Sequence, residues 1–239
     1  MLIRSTLLLL FSATTAFALS EENVKEQFDV TAGGNLVVDV DFGSIDVTAG
    51  ADNKVIVDAY RKIDADNEAR EKEFLAAAPI KVTKEGNTVK VRATHERERG
   101  WSWGWKSHRV TNDARYTISV PKNFNLDLNT SGGSIAANGV KGTIKVDTSG
   151  GSLKFVDLHG PIKASTSGGN IESKGGSGQL DAETSGGEIE VTDFQGNAVV
   201  ETSGGKLSLR NIQGKLVGET SGGSIFASLS NPMAGDVRL

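Results

Sequence analysis

Cysteine is absent from this 239-residue chain, so neither a disulfide nor a lipid-attachment thiol is available. An exported product of this sequence has to be held by packing and hydrogen bonds alone. Long apolar runs are scarce as well. Beyond residue 20 no stretch is long and apolar enough to cross a bilayer, which takes about 20 residues as a helix. Charge of either sign is not in large excess: the net charge of −4 is mildly acidic and argues against general affinity for nucleic acid or anionic lipid.

The one apolar stretch lies at the start. In MLIRSTLLLLFSATTAFALS a single cation, Arg4, precedes an apolar run from Leu7 to about Phe17, and Ala16-Phe17-Ala18 supplies an A-x-A cleavage site. This predicts a cleaved export signal over residues 1–18 and a mature chain in the periplasm, at the cell surface or outside the cell, with no transmembrane segment. Losing Arg4 makes the mature chain slightly more acidic.

Glycine, by contrast, is abundant. Each of the 29 glycines costs roughly 0.5–1 kcal/mol relative to alanine inside a regular element, so they need a reason. The reason is a repeat. TSGGSI at 130–135 returns in near-copies after Thr130 with its threonine at Thr148, Thr166, Thr184, Thr202 and Thr220, each 18 residues on from the one before. With threonine as slot 1, slots 3 and 4 are Gly-Gly in all six copies, beginning with Gly132 and Gly133. Slot 6 is a branched aliphatic (Ile135, Leu153, Ile171, Ile189, Leu207, Ile225), and slot 8 is apolar except at Ser173. Slot 13 is glycine from Gly142 to Gly214, slot 15 is mostly aliphatic and slot 17 is small.

Slots 6 and 8 alternate with polar residues, as do 15 and 17, which predicts two half-buried strands per repeat. Glycine-bearing corners that tolerate positive φ separate them. A unit this short cannot bury its own apolar face, so successive units must stack like on like. The expected fold is an all-β parallel β-solenoid, right-handed by the usual crossover rule, with 18-residue coils spaced about 4.8 Å apart over residues 121–239. Eighteen residues also suit a three-sided coil.

Residues 19–120 read as a β-rich capping region with one helix. Leu36 to Ile45 aligns without gaps on Leu216 to Ile225, as a degenerate coil with Val40 in the threonine slot. KVIVDAY (54–60), NTVKVRA (87–93) and ARYTISV (114–120) carry strand signals. Residues 64–79 predict a helix with Asp64 or Asp66 as N-cap, Pro79 as terminator, and Phe74 and Leu75 docking it. At the far end no polar cap follows the last coil, so the sequence reads either as truncated there or as ending in an uncapped edge that self-associates.

The signal, the GxLxVxxxxGxIxV opening, the VPKNFNLDLNTSGGSI stretch and the serial TSGG units together resemble a family of exported bacterial proteins known as putative adhesins with β-strand repeats, a domain of unknown function. The likeness spans roughly residues 30–239. It implies a β-helix-like fold, an envelope location and no established enzymatic activity, and it supplies no catalytic residues.

Candidate chemistry is sparse. Calcium-binding rolls need aspartates recurring at nine residues, and none recur here. Slot 18 forms an acidic file (Asp147, Glu183, Glu201, Glu219) best read as a solvated ladder. No metal site and no cofactor are expected. Glu172 and Glu190 share slot 7 on adjacent coils, the spacing a retaining glycosidase uses. Stacking gives that spacing to any two acids in one file, however, so a polysaccharide lyase or hydrolase is only the alternative reading. His95, His108 and His159 form no triad with a TSGG serine. The most distinctive stretch is HERERGWSWGWKSHR (95–109). Trp101, Trp103 and Trp105 alternate, flanked by Arg97, Arg99, Lys106 and Arg109. Three indoles on one side of an extended segment can stack on sugar rings or enter a membrane interface, while the cations hold anionic substituents. A hairpin folded back over the solenoid end is the competing reading. The expected function is a non-enzymatic scaffold or adhesion-type module at the bacterial envelope, binding a glycan or other envelope component through this segment.

Overall fold

The computed structural model describes residues 21–50, 52–95, 111–229 and 235–239. The expected export signal, Ala51, Trp101, Trp103, Trp105, Arg97, Arg99, Lys106 and Arg109 lie outside them.

In chain order the first strands are β1 (Glu21–Asp29), β2 (Asn35–Val40), β3 (Ser44–Ala49) and β4 (Lys54–Asp64). After helix α1 (Glu68–Ala77) come β5 (Lys81–Glu85), β6 (Thr88–Ala93) and β7 (Thr111–Val120). The coils continue with β8 (Asn125–Thr130), β9 (Ile135–Asn138), β10 (Ile144–Thr148), β11 (Leu153–Val156), β12 (His159–Thr166) and β13 (Ile171–Lys174). They end with β14 (Ser177–Thr184), β15 (Ile189–Thr192), β16 (Gln195–Thr202), β17 (Leu207–Ile212), β18 (Leu216–Thr220), β19 (Ile225–Leu229) and β20 (Val237–Arg238).

These strands form two ten-stranded sheets, so the coil is two-sided. Sheet A runs β1-β4-β7-β3-β9-β11-β13-β15-β17-β19, and sheet B runs β20-β18-β16-β14-β12-β10-β8-β2-β6-β5. Each TSGG unit gives one strand to each sheet, and its parallel register steps by 18 residues. Ile135 lies beside Leu153, then Ile171, Ile189, Leu207 and Ile225. On sheet B the file is Leu126, Ile144, Ile162, Leu180, Ala198 and Leu216. Both files point inward and, Ile225 apart, are at most 2% exposed. At roughly 1.5–3 kcal/mol per fully buried side chain, these columns are the main source of stability.

Slot 1 adds a polar spine inside. Thr184 Oγ1 donates to Gly169 O of the preceding coil at 2.9 Å and accepts Gly187 N of its own corner at 3.2 Å. Thr148, Thr166, Thr202 and Thr220 repeat both bonds. Thr130 donates to Gly43 O. A buried hydroxyl thereby ties each corner to the one before it, with donor and acceptor both used.

Corner glycines divide by cause, and positive φ explains only some of them. At slot 4 of the six TSGG corners no positive φ is involved: a Cβ on Gly187 would stand 1.9 Å from Gly169 O, and the same clash recurs in the other five. Close backbone approach makes glycine necessary there. Positive φ falls instead at slots 13 and 10, and slot 10 reads Gly139, Asp157, Gly175, Asp193, Asn211, the residue types that tolerate the left-handed region.

The degenerate coil is real. β2 pairs with β8, Leu36 beside Leu126 and Val40 beside Thr130, and β3 pairs with β9. Chain order and stacking order then part company. β6 stacks in parallel on β2 and β7 on β3, so β6–β7 is a further coil beyond β2–β3. β1 and β4 continue sheet A antiparallel and β5 does so on sheet B.

Helix α1 is attached at this end, with none of its residues fully buried. Its N-cap is Asn67, whose side chain accepts Arg70 N, and not Asp64 or Asp66. Asp64 is still in β4, and Asp66 is engaged elsewhere, 3.7 Å from Arg70. Phe74 and Leu75 are half-buried, while Ile63 is fully buried. Arg61, 4% exposed, holds the helix end: it donates to Ala78 O (2.6 Å), Leu75 O (3.3 Å) and Glu22 Oε2 (2.5 Å).

Candidate functional site

The corner between the sheets is where the repeat is interrupted. Six Thr-Ser-Gly-Gly corners and the Val40–Ser44 corner form one file along the solenoid. The corner from Val40 to Ser44 needs only residues 41–43, whereas the one stacked on it, from Ala93 to Arg115, takes in residues 94–114. The chain thus leaves sheet B at Ala93 and re-enters sheet A at Thr111 with the tryptophan-basic stretch inserted between.

The entry to this insertion is anchored. Asp41 Oδ2 accepts His95 N at 2.7 Å and lies 2.7 Å from His95 Nδ1. The His95 ring meets Phe74 of α1 edge-on, 6.4 Å between centroids. Beside it Phe42 stands 47% exposed next to Gly132, where a Cβ would come within 3.2 Å of the Phe42 ring. An aromatic already shows on the surface at the foot of the insertion.

The other candidates occupy the solenoid's outer faces. Glu172 and Glu190 are neighbours in slot 7 of sheet A, as expected, yet each has a cation. Lys154 Nζ is 3.3 Å from Glu172, and Arg210 pairs with Glu190 while its guanidinium lies 5.7 Å from the Phe226 ring centroid. Both carboxylates are about half exposed. Such pairs read as a solvated ladder, since a glycosidase acid needs burial to hold its proton.

In slot 18 the register sets Glu183 beside Glu201 and Glu201 beside Glu219, all exposed, with Arg238 3.0 Å from Glu219. Among the described residues no group of three or more histidines and acids is placed to hold a metal ion.

One polar relay escaped the sequence reading. His159 Nδ1 is 2.9 Å from Ser177 Oγ, and its Nε2 is 3.2 Å from Asp157 Oδ1. Ser177 lies outside the TSGG motif, one coil on in the same slot as His159. The signal was legible as the 18-residue offset between them. Asp157 is 61% exposed, so water competes for its carboxylate, and the relay ties neighbouring corners together much as Asn211 ties to Asp193 at 2.8 Å.

On the outer face of sheet B there is an open depression of about 550 Å³ across β6, β2, β8 and β10. Asn35 Nδ2 donates to Thr88 Oγ1 (3.2 Å), Asn125 Nδ2 to Asn35 Oδ1 (3.1 Å), and Thr143 N to Asn125 Oδ1 (2.8 Å).

No family model and no curated protein matches the chain. Among solved structures, one described as a putative adhesin from Bacteroides fragilis is 14% identical, with a TM-score of 0.36, over 90% of this chain and 96% of that one. A putative cell adhesion protein from Clostridium sporogenes is 9% identical, TM-score 0.29, over 87% and 100%. A putative lipid binding protein from Parabacteroides distasonis is 16% identical, TM-score 0.35, over 92% and 97%. At these scores the likenesses carry no functional weight.

Proposed function

We propose that this chain is an exported, non-enzymatic β-solenoid of the bacterial envelope, a scaffold or adhesion-type module that contacts a glycan or other envelope component through its tryptophan-basic segment. The observation that carries the reading is the expanded corner. In stacked-repeat proteins insertions gather on one face, often the binding face, and loops on a rigid scaffold are where recognition concentrates. Here the insertion replaces a three-residue corner and holds all three tryptophans of the chain with four of its cations. Indoles bury large area at small entropic cost, and Arg and Trp dominate binding hot spots.

Replacing Trp101, Trp103 and Trp105 together by alanine is expected to abolish retention of the purified chain on isolated cell envelopes and on a glycan array. The β-sheet circular dichroism should not change. Undiminished retention by the triple variant contradicts the proposal. The alternative, a polysaccharide lyase or hydrolase working on a solenoid face, would show turnover that is lost in Glu172→Gln or Glu190→Gln. The cation beside each of these carboxylates weighs against it.

A further inference from the structure

The depression on sheet B owes nothing to the tryptophan segment: Asn35, Val37, Asn125, Asp127 and Lys145 are among the residues that line it. Its shape follows from one file of side chains. Along the outward slot 16 the register reads Lys90, Val37, Asp127, Lys145, so two short residues lie between two long ones. Lys90 is tied to Glu85 of β5 at 2.6 Å, and Lys145 Nζ stands 3.7 Å from Asp127 Oδ1. Val37, half-buried, is the floor.

The neighbouring slot 14 supplies the polar wall. In the chain of bonds from Thr143 through Asn125 and Asn35 to Thr88, each asparagine NH₂ uses one hydrogen, and the other has no partner among the described residues. The amides are therefore fixed in orientation before any ligand arrives, which lowers the ordering cost of binding. Its volume, about 550 Å³, falls within the roughly 300–1,000 Å³ typical of small-molecule sites.

The chemistry selects among occupants. A peptide strand would need a free sheet edge, but β2 is paired on both sides, by β6 and β8. A simple anion would need uncommitted cations, and both lysines already face carboxylates. An apolar floor edged by oriented amides, a hydroxyl and a Lys–Asp pair suits a ring with one C–H face and several hydroxyls. We propose that this depression binds a neutral saccharide, one or two rings of a longer glycan, with the ring face on Val37 and its hydroxyls on Asn35, Asn125 and Asp127.

The test uses the full chain carrying the triple tryptophan-to-alanine change, so that failure of the tryptophan reading leaves this one intact. Cellohexaose, chitohexaose and maltohexaose are titrated while the side-chain amide signals of Asn35 and Asn125 are followed by NMR. At least one glycan is expected to shift both signals saturably. Val37→Lys, which fills the floor at a surface strand position, is expected to weaken that titration at least tenfold with spectral dispersion unchanged. Should that variant fail to fold, Asn35→Ala is expected to weaken it in the same way. If none of the three glycans moves these signals, or if the folded variant titrates like its parent, the proposal is overturned.

Discussion

At the scale of single residues, two adjacent glycines with the same sequence signature have different jobs. Gly187 cannot carry a Cβ, because it would lie 1.9 Å from Gly169 O, whereas a Cβ on Gly186 meets nothing nearer than 3.7 Å and its φ is not positive. Gly187→Ala is therefore expected to cost about 3 kcal/mol or more in urea unfolding. Gly186→Ala should leave stability within about 0.5 kcal/mol or raise it slightly. Thr184→Val, which removes both bonds of a 1%-exposed hydroxyl and strands Gly169 O and Gly187 N, is expected to cost about 1–3 kcal/mol in the same measurement. The repeat makes the threonine, the aliphatic slots and the Gly-Gly pair legible in sequence because 18-residue offsets in sequence become contacts in space. It does not reveal which glycine of a pair is indispensable, since that depends on how closely two backbones approach. Slot 10 carried a readable signal in its Gly, Asp, Gly, Asp, Asn series, a set that shares tolerance of positive φ.

At the scale of elements, the capping end is where sequence and structure differ most. The strands over 54–60, 87–93 and 114–120 were legible from their alternation. Their partners were not, because β6 and β7 complete a coil that lies before β2–β3 in space and after it in sequence, and the long insertion hides the match. The N-cap was misplaced because three acidic or amide residues cluster there, and only the turn geometry selects Asn67. Arg61 was unremarkable in sequence, yet it joins β1, β4 and α1. Its Nε has no partner among the described residues, while its other nitrogens bond Glu22 and two helix-end carbonyls. Arg61→Ala strands both carbonyls and takes the cation from the partly buried Glu22, which keeps its bond from Ile80 N, and is expected to cost roughly 3–5 kcal/mol, with amide exchange rising first in β1 and α1. Tyr116 on β7 reports on the same region. Burial, only partly opposed by nearby Arg61, pushes its phenol from 10.0 up to about 12. Between these values the folded chain keeps a proton that the unfolded chain releases, so stability is level below pH 10 and falls as pH rises towards 12. Tyr116→Phe should remove that fall from the alkaline stability profile. A profile unchanged by the substitution would show the phenol is not sequestered.

At the scale of the whole molecule, stability is close to a sum over coils and their interfaces. Deleting residues 167–184 removes one complete coil and leaves every remaining file in register, so the shortened chain should fold. Deleting only 167–175 removes half a coil and sets strands of sheet A against partners from sheet B. That chain is expected to lose cooperative unfolding. The tryptophan segment was visible as a candidate from sequence alone, but that it connects the two strands of the coil beyond β2–β3 appears only once the stacking order of β6 and β7 is known. The lack of cysteine makes a direct ruler available. The serines at slot 2 are exposed, so Ser131 can be paired with Ser185, Ser203 or Ser221 as cysteine variants carrying spin labels, and the distances read by pulsed electron resonance. Stacked coils predict separations that lengthen by about 4.8 Å for each 18 residues, to roughly 24 Å at Ser221. Distances that do not grow by equal steps along the series would contradict the stacked-coil account on which the site assignments rest.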